Sequence, residues 1–130
     1  MTESLNDQTP RPRRSWVRKF LDAGHGIRVA VRSEASFSVH LIATLVVALL
    51  GLAFGFSWNE WCLTVLCIGM VWAVELLNTC IERLARTITR ETNPDIRDAL
   101  DIASGAVLAI SISAAVVGGI VFLPRLLCLI

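Results

Sequence analysis

Four polar residues, Glu75, Asn78, Glu82 and Arg86, follow one another along a largely apolar stretch at separations of three, four and four positions. At 3.6 residues per turn this spacing brings all four onto one side of a helix. An ionised carboxylate at the centre of a membrane helix costs about 2.5–3.5 kcal/mol on insertion scales, so such a group normally faces a bundle interior and finds a partner there. Glu34 precedes the first apolar stretch and Asp101 heads the last. Carboxylates from separate helices are therefore expected to converge at one membrane boundary. Oxygen ligands of this kind suit Mg²⁺, which retains waters and bridges protein carboxylates to phosphate groups. A carboxylate beside the lipid can also take a proton from a lipid hydroxyl. Together these parts point to phosphoryl transfer at the interface. The alternative is a packing network in which Arg86 simply pairs with Glu82. No Walker A pattern, protein-kinase loop or complete G-x-G-x-x-G is present, and Gly24-His25-Gly26 is too short to count as one.

The elements that must position these residues are written in the charge distribution. The 130-residue chain is 55% apolar and 18% charged, too short for two ordinary domains and too apolar for a typical soluble one. Of its 23 formal charges, 11 fall in residues 1–34 and 10 in residues 75–101, leaving only Glu60 and Arg125 elsewhere. Residues 35–59 hold His40 as their only other ionisable group, and residues 102–124 hold none. Each stretch reaches the ~20 residues needed to cross the hydrocarbon core. A third span needs the helix beginning near Trp61 to continue through Leu84, which carries Glu75 to membrane depth. The expected fold is all-α: three transmembrane helices, the first over 35–57, the second with a cytoplasmic extension over 60–88 and the third with a cytoplasmic start over 94–123, preceded by an amphipathic surface helix over 15–33. Residues 15–130 then form a single membrane domain behind a disordered basic arm, 1–14.

Seven basic residues precede the first span, four lie between the second and third, and none falls in the Ser57–Glu60 turn. Lys and Arg resist translocation, so the N-terminus and the second connection are expected in the cytoplasm and the C-terminus outside. Trp58 and Trp61 flank the outer turn, where amphipathic rings commonly meet the lipid interface. In the surface helix, Gly24 and Gly26 allow a break near His25, which is read as a bystander. Asn93 can cap the third span's helix, with Pro94 at its first position and Asp95 and Asp98 complementing its dipole, and Pro124 offers a stop. Cys62, Cys67, Cys80 and Cys128 form no C-x-x-C pair and are expected to be reduced. No apolar region follows the basic arm closely enough to form a cleaved signal peptide.

The run Glu75-Leu76-Leu77-Asn78-Thr79-Cys80-Ile81-Glu82 resembles the E-x-x-N-[TS]-x-I-E signature of the prokaryotic diacylglycerol kinase family, three-span lipid kinases that include the undecaprenol kinases. Three further segments match in order: Gly26-Ile27-Arg28 with Glu34 downstream, Glu91-Thr92-Asn93-Pro94, and Asp101-x-x-Ser104-Gly105-Ala106-Val107. The resemblance runs from about Arg18 to Leu123. It implies ATP-dependent phosphorylation of a membrane lipid alcohol, diacylglycerol or undecaprenol, at the cytoplasmic face of the bacterial inner membrane. It further implies Glu75 as general base, Asn78 as a polar active-site residue, and Glu34 and Glu82 as ligands of the ATP-linked Mg²⁺. Arg18, Arg28, Glu91, Asn93 and Asp101 are then nucleotide-binding. The implied partners are the lipid, ATP and further copies of the chain in a homotrimer, with no nucleic acid.

Two positions depart from the family pattern: Arg86 stands where an aspartate is usual, and Leu100 where the family has the lysine of a Lys-Asp pair. A missing cation weakens the electrostatic stabilisation on which phosphoryl transfer depends. Arg86 or Arg97 is expected to replace it. The competing readings are a family member with weak or absent catalysis, and a small membrane protein that binds lipid or scaffolds a partner.

Overall fold

The structure, a computed structural model, describes residues 15–33, 35–88 and 93–127. The basic arm, Glu34, Glu91 and Cys128 lie outside the described residues. Four helices follow one another: α1 (Trp16–Ser33), α2 (Ala35–Ala53), α3 (Trp58–Ile88) and α4 (Pro94–Leu127). Three of them, α2, α3 and α4, are long and apolar enough to cross a membrane. Only 11%, 22% and 6% of their most apolar windows is buried, so most of their apolar surface points outward. That is the arrangement expected when the solvent around the spans is hydrocarbon.

The long α3 and α4 pack most extensively on each other, while α2 rests on α1 and α3. Among the described residues no α2 Cα comes within 8 Å of α4. The gap is a cleft of about 340 Å³ over α3, lined by His40, Thr44 and Val47 from one side and Ala114, Gly118 and Phe122 from the other.

The α2–α3 turn closes the bundle with a dense set of local devices. Gly55 adopts φ +63°, and the Gly55 and Phe56 amides donate to the Leu52 and Gly51 carbonyls at 3.2 and 3.0 Å, a Schellman closure of α2. The helix expected to continue to Ser57 therefore ends at Ala53, because the left-handed glycine turns the chain there. Ser57 then caps α3: its amide and hydroxyl both donate to Glu60 Oε2, at 2.8 and 2.7 Å. Across the bundle, Arg125 Nη1 and Nη2 donate to Glu60 Oε1 and Oε2, each at 2.7 Å. The two charges left over in the charge map are thus a bidentate pair. The Phe56 ring lies 5.0 Å from the Arg125 guanidinium and 4.9 Å from Phe122.

Two further expectations are corrected at helix ends and middles. Pro124 does not stop α4, which runs to Leu127. Proline removes the backbone donor that would reach the Ile120 carbonyl, and the helix continues past it with Arg125 anchored to Glu60 and donating to the Val121 carbonyl at 2.9 Å. Nor does α1 break near His25. It is continuous through Gly24 and Gly26, whose cost of about 1 kcal/mol each against alanine is met by docking on α2 and α3, where Ala30 is buried. The Asn93 cap is present: its Oδ1 accepts from the Asp95 amide at 2.9 Å, with Pro94 opening α4. Cys62, Cys67 and Cys80 are free thiols.

The end of the bundle closed by the α2–α3 turn carries a direct test. A Cβ on Gly51 would sit 3.0 Å from both Phe56 Cδ2 and Trp61 Cη2, inside a cluster already packed on α4. Gly51→Val is expected to destabilise the chain by about 1–3 kcal/mol through overpacking, measured by denaturant titration in detergent micelles. An unchanged midpoint would mean that the aromatic cluster yields freely.

Candidate active site

The α3 stripe divides into a buried residue and an open group. Glu75 is only 2% exposed. One turn further toward the C-terminus of α3, Asn78 Nδ2 donates to Glu82 Oε1 at 2.9 Å, and Arg86 Nη2 donates to Glu82 Oε2 at 3.1 Å. The packing alternative thus describes Glu82 and Arg86 correctly, but it leaves Glu75 out. Glu82 is 28% and Arg86 65% exposed at the side chain, so this pair faces solvent and contributes little to stability.

What surrounds Glu75 comes from α2. His40 Nε2 lies 3.7 Å from Glu75 Oε2. Either side of His40, α2 is fastened to α3. Three positions earlier, the fully buried Phe37 meets Trp72 edge to face, with ring centroids 5.6 Å apart. Four positions later, Thr44 Oγ1 accepts a hydrogen bond from Trp72 Nε1 at 3.1 Å and donates to the His40 carbonyl at 2.8 Å. Phe37, His40 and Thr44 recur at helical spacing and so share one face. Trp72 and Glu75, three apart on α3, face it. Sequence reasoning passed over His40, Thr44 and Trp72. The available signal was that the one ionisable group of an uncharged span shared a stripe with an aromatic and a hydroxyl.

Of the remaining expected site residues, Arg18 and Arg28 are exposed on α1, and Arg97 and Asp101 on α4; the hydrogen bonds of the stripe do not reach them. Asn93 is occupied in capping α4. Glu34, between α1 and α2, and Glu91, before α4, lie outside the described residues.

The donor set at Glu82 fits a hard cation. Asn78 Oδ1 is buried and has no hydrogen-bond partner among the described residues, a state that costs about 1–3 kcal/mol if nothing binds there. It sits on the residue that already holds Glu82. Two oxygen donors on adjacent turns, one a carboxylate, are the kind of ligand Mg²⁺ takes from protein while phosphate and water complete its shell. No group of three His, Cys, Asp or Glu side chains gathers among the described residues, so an all-protein cage is not what this site offers.

Comparison with known proteins places this geometry in context. Residues 22–122 match the sequence profile of the prokaryotic diacylglycerol kinases. The undecaprenol kinase of Bacillus subtilis (strain 168) is 36% identical over 111 residues, spanning 85% of this chain and 90% of that enzyme. The profile match includes all of α2 and α3 and nearly all of α4.

It therefore includes the polar join that sets α2 against Glu75, and that join is measurable. Trp72→Phe and Thr44→Val each remove the indole–hydroxyl hydrogen bond and are each expected to cost about 0.5–1.5 kcal/mol. Because they break one interaction, the double variant should cost less than the sum of the two. Strict additivity in a double-mutant cycle would show that the bond carries no coupling.

Proposed function

The chain belongs to the prokaryotic diacylglycerol kinase family and is a lipid kinase, and from that premise we propose that it transfers the γ-phosphoryl group of ATP to a membrane lipid alcohol at the cytoplasmic face, with Glu75 as general base. The observation that carries this reading is the contrast along α3: Glu75 is 2% exposed, two turns from the partly exposed Glu82 on the same side of the helix. A base at lipid depth beside a phosphate-side carboxylate is what joining a lipid hydroxyl to a water-soluble nucleotide requires. The identity with an undecaprenol kinase favours undecaprenol over diacylglycerol as the acceptor.

In this reading Glu75 takes the hydroxyl proton as the lipid oxygen attacks phosphorus, the bond to the ADP oxygen breaks, and the products are the lipid phosphate, ADP and one proton. Glu82, with Asn78 Oδ1 beside it and Glu34 from the start of span one, would hold Mg²⁺. When bound, the ion neutralises charge on the transferring phosphate. Glu91, Asn93, Asp101, Arg18 and Arg28 form the nucleotide side. Arg86 already donates to Glu82, which suits it to holding that carboxylate and leaves Arg97 as the cation that replaces the family's lysine. The amphipathic α1 lies on the cytoplasmic surface of the inner membrane, N-terminus inside. Three copies assemble as a homotrimer, covering apolar flanks that one chain leaves open.

Purified protein in mixed micelles, with labelled ATP, Mg²⁺ and undecaprenol or diacylglycerol, tests the reading. Glu75→Gln is expected to lower turnover by about 10²–10⁴-fold, the contribution of a general base. Chelating the divalent ion should stop the reaction. Arg97→Ala should slow it by about 10²-fold or more, as loss of one transition-state contact does, whereas wild-type rates in both Arg97→Ala and Arg86→Ala would sink the cation replacement. The Arg86–Glu82 pair favours one second reading, a family member with weak catalysis, because the guanidinium competes with a cation for Glu82. Nucleotide binding without turnover on either lipid would establish it.

A further inference from the structure

A buried carboxylate can act as a base only if something holds its unreactive oxygen and leaves the other free. Glu75 is 2% exposed, and across the α2–α3 join the His40 imidazole is its ion-pair partner. The imidazole approaches Oε2. Thr44 engages the backbone of His40, and among the described residues the ring nitrogen Nε2 has Glu75 as its acceptor-side neighbour. A separation of 3.7 Å exceeds a direct hydrogen bond and lies within ion-pair range. Catalytic hydrogen bonds are commonly long before substrate binds and tighten in the complex.

We infer that His40 is the positioning residue of Glu75: Nε2 donates to Oε2, fixing the carboxylate so that Oε1 faces the lipid hydroxyl. The inference rests on the reading of Glu75 as the base. Its support is the way α2 is built. Phe37 and Thr44 pin the helix to Trp72 on either side of His40, so the ring cannot shift along α3 without breaking an aromatic contact or a hydrogen bond. This is the base–orienter arrangement found wherever a general base must keep one geometry. It is assembled here from a second transmembrane helix. His40 acts through Glu75 and need not touch the phosphate, so its removal should slow chemistry without weakening substrate binding. His40 also lines the cleft between α2 and α4.

The experiment compares His40→Phe, which keeps a ring and loses the donor, with His40→Gln, which keeps a donor and loses the ring, using whichever of undecaprenol and diacylglycerol the wild-type protein phosphorylates. His40→Phe is expected to lower kcat by about 10- to 100-fold, the effect of misplacing a reacting group by about 1 Å, with KM for ATP and lipid unchanged. His40→Gln should recover most of the loss. If His40→Phe does not fold, His40→Ala with added imidazole carries the same comparison, since the adjoining cleft, about 340 Å³, has room for it; restored kcat supports the positioning role and no restoration overturns it. Wild-type kcat in His40→Phe, or a raised KM with kcat unchanged, also overturns it while leaving the kinase reading intact. Absence of wild-type turnover on either lipid, or full activity in Glu75→Gln, instead overturns the reading on which it rests.

Discussion

A carboxylate cannot sit inside an apolar wall without a partner, and the placement of Glu75 is the constraint from which the packing of α2 on α3 follows. Its own helix offers no cation near it. The partner comes from α2, and α2 must then be held in one register along α3. Phe37 and Thr44 do this through a single residue, Trp72, which offers a ring edge contact on one side and an indole N–H on the other. A tryptophan in mid-span, remote from any interface, is explained by that double use.

The two ends of α3 handle carboxylates in opposite ways. At the N-terminal end, Glu60 accepts from Ser57 and from both terminal nitrogens of Arg125, and the Arg125 ion is further covered by Phe56. Four donors meet the two Glu60 oxygens, and they tie the α2–α3 turn to the end of α4. At the C-terminal end, Glu82 has one donor on each oxygen, and the neighbouring Asn78 Oδ1 has none among the described residues. A saturated carboxylate is an anchor; an undersaturated group of oxygens beside solvent has capacity left for a cation. The same residue type thus serves structure at one membrane face and, in the reading proposed here, chemistry at the other.

Much of this was legible in the residues because it is local. Helical spacing put Glu75, Asn78, Glu82 and Arg86 on one face, charge depletion marked the spans, and Asn93-Pro94 announced the start of α4, all of which depend on neighbours within a few positions. What escaped depends on the rest of the chain. Pro124 reads as a stop until Arg125 is seen reaching across to Glu60, 65 residues away. Gly55 ends α2 early through a left-handed turn that the hydropathy of Phe54 and Phe56 disguises. His40 looks like a stray polar residue in a span until α3 is packed against it. Periodicity states which face a residue occupies, and only packing states what that face meets.

This distinction bears on how a family pattern tolerates departures. Arg86 replaces an expected acid, yet it lies on the solvent-facing side of Glu82, four residues on, where a guanidinium is cheaply solvated. Exchanging a charge there alters the field around Glu82 without disturbing helix packing. Glu75 has no such latitude: enclosed by apolar surface and paired across helices, it can change only together with the face of α2 that receives it. Variation in this fold should therefore concentrate on the exposed half of the polar stripe, with the buried half tied to Phe37, His40 and Thr44 as one unit. The departures at Arg86 and Leu100 follow that division, since the first is exposed and the second lies on the first turns of α4, both outside the α2–α3 interlock. The helical frame that carries the buried carboxylate is intact where the surface chemistry has changed.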